Sequence, residues 1–134
     1  MAGRLDAGAL VSFVGLCRSE TDGADVRQLR IDQYPGFTQK EIERLMEDVG
    51  VRCGCPDLLV VHRVGVIVPG EPIVLVAGLS VHRGNAFDAV RMLMDYLKTD
   101  APLWKQEGGS RGSRWIEPRD TDREQRAALE KEFA

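Results

Sequence analysis

Two His-Arg dipeptides, two spaced lysines and one loop arginine are the residues of this chain whose types could do chemistry. His82-Arg83 stands between an apolar run, Ile73 to Val81, and a stretch that reads as the start of a helix. Backbone N–H groups at a helix N-terminus favour an anion, and a guanidinium offers phosphate a planar fork. An imidazole at the same place can donate a hydrogen bond or shuttle a proton. A strand-end histidine beside a solvated arginine fits the spacing equally well. His62-Arg63 repeats the dipeptide, but Val64-Gly65-Val66 follows it, not a helix start, and that context favours a structural role.

Lys98 falls in the last turn of the second expected helix, where its charge would complement the helix dipole for ~0.3–1 kcal/mol. Lys105 follows Leu103-Trp104 in a short strand beyond Pro102. Together the two lysines would place two ammonium groups near one turn. Like charges repel, so one of the pair would lose its proton more readily and become a base or nucleophile. Spacing alone leaves ordinary surface lysines as the competing account. Arg18 sits in a polar loop after the first strand and alone signifies an exposed arginine.

Most other catalytic templates are absent from the sequence. It contains no His-x-x-x-His pair and no Gly-x-x-x-x-Gly-Lys phosphate loop. The cysteines are Cys17, Cys53 and Cys55; Cys53-Gly54-Cys55 lacks both the two-residue spacer and the second pair of a structural zinc site. They read as idle thiols in a reducing compartment, and no metal site is expected.

The elements that must position these side chains follow from periodicity. Gly8 to Val14 is a buried strand ended by Gly15, and the polar stretch to Asp25 is a mobile loop. Leu29, Ile31 and Gln33 alternate with Arg30, Asp32 and Tyr34, the period of a half-exposed strand broken by Pro35-Gly36. Thr38 to Glu41 has the form of a capping box, and Ile42, Leu45, Met46 and Val49 give the apolar stripe of a helix behind it. Asp57 to Val64 and Ile73 to Val81 are apolar strands, with a short one at Val66 to Val68. A second helix begins near Gly84 with Asn85 as N-cap; Ala86, Val90, Leu93, Met94 and Leu97 form its stripe, and Pro102 bars continuation. Leu103 to Glu107 and Arg114 to Glu117 form a hairpin, followed by a charged, helix-prone tail from Thr121. The expected fold is α+β: one domain over residues 1–134, mostly antiparallel sheet with two main helices.

With 134 residues the chain is one domain in size and large enough to bury a core without disulfides or metals. Its 43% hydrophobic and 29% charged content is that of a folded globular protein, not a disordered one. Eighteen Lys and Arg against 21 Asp and Glu give a net charge of −3, which argues against a nucleic-acid binder. No apolar run reaches the ~20 residues of a membrane span, and the first residues lack a secretory signal. The cytoplasm is the expected location.

Several segments together resemble the family of large, catalytic subunits of molybdopterin synthase. They are Gly8-Ala9 through Phe13-x-Gly15 with Arg18, Tyr34-Pro35-Gly36-Phe37-Thr38, Val61-His62-Arg63-Val64-Gly65, Pro69-Gly70-Glu71, Ser80-Val81-His82-Arg83, Met94 through Lys105, and Arg114-Trp115-Ile116-Glu117. The run from Asp95 to Lys105 is the most specific. The resemblance implies an α/β-hammerhead-like domain and a sulfur transfer. A small ubiquitin-like partner carries sulfur as a thiocarboxylate on its C-terminal Gly-Gly tail, and two sulfurs are placed on cyclic pyranopterin monophosphate to form the molybdopterin dithiolene. It implies no cofactor, and a homodimer of this chain within a heterotetramer. Because donor and acceptor are both anionic and the sulfur is imported, such a pocket needs cations and no reactive cysteine.

Carried over residue by residue, the resemblance assigns Lys98 and Lys105 as the catalytic lysines. Lys105 would do acid/base or charge-stabilising work at the pterin, and Lys98 would hold the partner's terminal carboxyl group. His82 and Arg83 match the substrate-pocket pair and Arg18 the phosphate-binding loop arginine; Gln106 and Glu107 would continue the pocket wall. Family members commonly begin with a further strand and helix, whereas seven residues precede Gly8 here. The loop that often reads Gly-Lys-Val-Arg is Gly15-Leu16-Cys17-Arg18 in this chain, with one cation fewer. Two other functions are kept beside this one: a non-catalytic module that binds the partner's Gly-Gly tail, and a phosphoester enzyme using His82, Arg83 and Lys105.

Overall fold

Val74, Val76 and Gly78 run down the middle of a central strand, and the architecture is built by what packs on them. The computed structural model describes residues 6–21, 23–101, 103–109 and 112–115. In chain order its elements are β1 (Ala9–Leu16), β2 (Glu20–Thr21), β3 (Ala24–Asp25), β4 (Gln28–Gln33), α1 (Phe37–Cys53), β5 (Asp57–His62), β6 (Gly65–Ile67), β7 (Pro72–Ser80), α2 (Arg83–Asp100), β8 (Leu103–Gly109) and β9 (Gly112–Trp115). This is an α+β domain, and all its strand pairings are antiparallel.

Three sheets result: β1-β7-β5, the short β2-β3 ribbon, and β6-β4-β8-β9. The first carries both helices on one face. Leu45 and Val49 of α1, Ala89, Val90, Leu93, Tyr96 and Leu97 of α2, and Val74 and Val76 of β7 form the main core. The apolar stripe of α2 is wider than one helix face requires because that helix is covered by the sheet on one side and α1 on the other. At Gly78 the approach is tight: a Cβ there would meet Val90 Cγ2 at 3.2 Å and Leu58 Cδ2 at 3.3 Å. Arg52 in the last turn of α1 donates to the Tyr96 hydroxyl of α2 at 3.1 Å, joining the helices at their polar edge.

The second sheet has its own small core. Leu29 and Ile31 of β4 and Ile67 of β6 are buried with Cys17, and Leu103 and Ile73 pack beside them. Ile73 touches both cores, so the start of β7 is where the two sheets meet.

Three local expectations are corrected. Thr38 is not an N-cap: Gly36 caps α1, and Thr38 Oγ1 accepts the Tyr34 N–H at 2.9 Å from inside the first turn. The Pro35-Gly36 bend places the helix start two residues early, so the Thr38 hydroxyl meets the Tyr34 N–H at the end of the preceding strand region. Nor is Asn85 a cap: α2 begins three residues sooner than that cap would place it, at Arg83 with His82 as N-cap, and Asn85 Nδ2 donates across to the Gly54 carbonyl at 3.4 Å. The loop after β1 is not wholly irregular, since Glu20↔Asp25 and Thr21↔Ala24 pair as the β2-β3 ribbon with Gly23 at φ 80°. The hairpin of β8 and β9 forms as expected. The helix-prone tail from Thr121 lies outside the described residues.

Candidate functional site

The strand register decides which residues of β8 can reach one pocket. Lys105 stands opposite Ile31 of β4, and Ile31 stands opposite Gly65 of β6. Glu107 stands opposite Leu29, which in turn faces Ile67. Directly opposed residues share a sheet face, so Lys105 and Glu107 emerge on the same inner face as Ile31, which is 0% exposed. Glu107 is itself buried at 6% exposure. Gln106, opposite Arg30, leaves on the other face, because successive strand residues alternate. Of the two residues expected to extend the pocket wall, Glu107 lies with Lys105 and Gln106 does not.

Arg18 is brought to the same corner. The turn before β7 clamps its loop through two backbone bonds, Cys17 N–H to the Glu71 carbonyl and Gly70 N–H to the Cys17 carbonyl, both 2.9 Å. The Cys17 thiol is pushed up by burial and by the carboxylates of Glu107 and Glu71, which places all three together. Arg18 is exposed at the rim of this group.

His62, read from the sequence as structural, lies at the same end of the molecule. It ends β5, its Nδ1 lies 2.8 Å from the Arg63 carbonyl oxygen, and its ring is held below the usual histidine range by burial and by the nearby Lys105 ammonium. Its neighbour Arg63 is occupied structurally: Nη1 donates to the Pro72 carbonyl at 3.2 Å and pairs with Glu71 Oε2 at 3.6 Å. The arginine fastens the turn, while the histidine ring hydrogen-bonds the Arg63 carbonyl.

Lys98 lies exposed in the final turn of α2, and Lys105 is half-buried near the start of β8. The helix ends at Asp100 and the strand begins at Leu103, so both lysines flank one short connection. His82 and Arg83 are elsewhere. They open α2, and Arg83 is about 22 Å from Lys98 along the helix axis at 1.5 Å per residue. The sheet agrees: His62 pairs with Val74 near the start of β7, whereas His82 follows Ser80 at its end, about 20 Å away. The His82 ring makes no cap hydrogen bond, and both side chains face solvent. One chain therefore gathers Arg18, His62, Lys98, Lys105 and Glu107 at one end and presents His82 and Arg83 at the other.

Cations gathered in this way can attract an anion, and an imidazole among them can carry a proton. No group of three or more His, Cys, Asp or Glu positioned to hold a metal occurs among the described residues. No helix among them is long and apolar enough to cross a membrane.

Comparison with known proteins gives a consistent match. The family model described as MoaE protein matches residues 1–100. The molybdopterin synthase catalytic subunit of Caulobacter vibrioides is 49% identical over 122 residues, covering 91% of this chain and 80% of that one. Among solved structures, the molybdopterin biosynthesis MoaE protein from Burkholderia ambifaria superposes with a TM-score of 0.74 at 41% identity, covering 95% of this chain and 81% of that one. A complex of subunits 1 and 2 of molybdopterin-converting factor from Helicobacter pylori shares the fold, with a TM-score of 0.69 at 23% identity over 85% of this chain and 75% of that one.

Proposed function

Because the chain belongs to the MoaE protein family, we propose that it is the catalytic subunit of a molybdopterin synthase in molybdenum cofactor biosynthesis. In this reading it works as a sulfurtransferase on cyclic pyranopterin monophosphate, with sulfur delivered as the C-terminal thiocarboxylate of a small ubiquitin-like partner. The observation that carries the reading is the 49% identity over 91% of the chain, together with the gathering of Arg18, Lys98 and Lys105 at one end of the molecule. Both reactants are anions, and cations concentrated at one corner lower the cost of bringing them together.

The division of labour is the one the resemblance implies, and placement supports it. Lys105 rises from a sheet whose inner face is apolar, so its ammonium acts in a partly desolvated setting where charge is felt strongly. It is assigned acid/base and charge-stabilising work at the pterin. Lys98, exposed at the helix end, is assigned to the partner's tail carboxyl group. Arg18 takes the phosphate at the rim. The thiocarboxylate sulfur is the nucleophile, so this chain supplies electrostatics and proton transfer but no sulfur. The cysteines agree with that: Cys17, Cys53 and Cys55 are buried, and Cys53 is pushed up to about 11, chiefly by burial. Three reduced thiols fit the cytoplasm.

His82 and Arg83 cannot join Lys98 within one chain. A homodimer resolves this, since a second copy can offer its helix start to the first copy's helix end. The assembly is then a dimer of this chain with one small partner serving each site.

The test combines purified chain, thiocarboxylated partner and cyclic pyranopterin monophosphate, with mass spectrometry following both proteins and the pterin. Dithiolene product together with loss of the partner's thiocarboxylate is expected. Partner binding with no product would replace this function by the non-catalytic module.

A further inference from the structure

We propose that Gly8 is a positioning residue for His82 and Arg83: its bare Cα lets the chain entering β1 run against the Val81 carbonyl, and so fixes the path from β7 into α2. This rests on the sulfur-transfer reading, in which the helix start of one copy completes the site of the other.

The end of β7 is held unevenly. On one side β5 pairs as far as Asp57↔Leu79, and the Cys55 thiol donates to the Leu79 carbonyl at 3.4 Å. On the other side the β1 segment continues further: Ala9 pairs with Ser80, and the Gly8 N–H donates to the Ser80 carbonyl at 2.9 Å. Ser80 is buried, whereas Val81 is exposed. The strand therefore leaves the sheet guided from the β1 side.

At that exit the two backbones meet. A Cβ on Gly8 would collide with the Val81 carbonyl oxygen and lie 3.6 Å from its carbon. Backbone cannot swing aside as the end of a flexible side chain can, so a larger residue at position 8 displaces the peptide that joins Val81 to His82. Conformational freedom is not what this glycine supplies: the described glycines with left-handed φ are Gly23, Gly36, Gly54, Gly65 and Gly70. A Cβ on Gly84, next to Arg83, would meet nothing within 4 Å, so the crowding belongs to the β1 contact.

The displaced peptide leads straight into the helix start. His82 is the N-cap of α2 at φ −114° and ψ 137°, its carbonyl accepts the Ala86 N–H at 3.4 Å, and Arg83 is the first helical residue. His82 makes no side-chain cap hydrogen bond, and both side chains face solvent. Backbone therefore sets where they stand, and the adjoining tie outside α2 is the Gly8–Ser80 bond. Groups that complete a site must be held to within about 0.5 Å, and a misplacement of about 1 Å costs on the order of 10²-fold in rate.

Gly8→Ala, assayed with the thiocarboxylated partner and cyclic pyranopterin monophosphate, is expected to lower product formation about 10²-fold. Subunit mixing then locates the damage. With Lys98→Ala, Gly8→Ala is expected to regain roughly a quarter of wild-type product, since half the dimers combine one intact helix start with one intact helix end. With Arg83→Ala it is expected to regain none. Where Arg83→Ala and Lys98→Ala restore each other, rescue of Gly8→Ala by Arg83→Ala, or by neither, overturns the proposal, as does wild-type activity of Gly8→Ala alone.

Two measurements stand apart from turnover. The chain has two histidines, so their ring signals are told apart by NMR of a single-histidine variant. Gly8→Ala is expected to move the His82 ring signal and the Arg83 amide and to leave His62, at the other end of β7, in place. An unmoved His82 and Arg83, or an equal shift at His62, sinks the idea. In the wild-type chain the Gly8 amide is expected to be protected from deuterium exchange; free exchange there defeats the proposal whether or not the variant folds. Absence of product from the wild-type chain, with both NMR results as expected, would instead strike the sulfur-transfer reading alone.

Discussion

Arg83 and Lys98 occupy opposite ends of the same helix, one at its first residue and the other in its last turn. About four helical turns separate them, so no small ligand touches both in one chain. The functional site is either limited to the Lys98 end or completed by a second copy, and the two cases give different results when variants are mixed.

Chains carrying Arg83→Ala and Lys98→Ala are each expected to be inactive as homodimers. After mixing and exchange, a site composed from two copies regains roughly a quarter of wild-type product formation, because half the dimers then hold one intact site. No recovery on mixing would show that the site is not composed from two copies, and full activity of the Arg83→Ala homodimer would show that Arg83 has no part in turnover.

Lys105→Ala and Lys98→Ala should each lower dithiolene formation by about 10²–10⁴-fold, the span of a lost proton-transfer or charge-stabilising group. Lys98 is exposed and Lys105 only half-buried, so the thermal midpoint should move little. Single-turnover mass spectrometry and a melting curve on the same samples check both halves.

Ile31 lies between Gly65 and Lys105 in the sheet and is fully buried. Ile31→Ala should cost about 2–5 kcal/mol of stability by opening a cavity in the smaller core. Urea unfolding measures it directly, and a change below 0.5 kcal/mol, roughly the size of a neutral surface substitution, would show that the smaller core contributes little.

Gly54 ends α1 in the left-handed region, at φ 62°, while Cys55 N–H donates to the Gly50 carbonyl at 3.0 Å. Gly54→Ala keeps that bond but forces a side chain into a conformation it disfavours, for a loss of roughly 1–2 kcal/mol. Denaturant midpoints with and without the substitution test it.

Two groups give the chain opposite pH sensitivities. Burial pushes the folded Cys53 thiol up to about 11 from the 9.0 of a free thiol, so the unfolded chain loses that proton first and stability falls as pH rises through that window. The His62 ring titrates below 6.5 when folded, so the unfolded chain takes up a proton first and stability falls as pH drops beneath that value. Thermal midpoints across both ranges should decline at each end, and Cys53→Ala should flatten the alkaline decline. At neutral pH iodoacetamide should leave the folded chain active, since Cys53 presents almost no thiolate.

The elements were legible because their residues carry local rules. Leu29, Ile31 and their alternating polar partners defined β4 before any neighbour was known, and the Ile42 to Val49 stripe defined the buried side of α1. Thr38 and Asn85 misled because a polar residue near a helix start has several backbone partners within reach, and the flanking bend decides which one it takes. Lys98, Lys105 and Arg18 were identifiable as candidates, since cations at element ends can converge on an anion.

Residue type and order thus determined the family, the α+β elements and the set of cations available for an anionic substrate. Tertiary structure alone decided which of them share a pocket. Sheet register put Glu107 with Lys105 and sent Gln106 to the opposite face. The length of α2 held Arg83 away from Lys98. The reason is physical: side-chain period is a local property of the chain, whereas the pairing of distant strands is fixed only when their apolar faces are buried together.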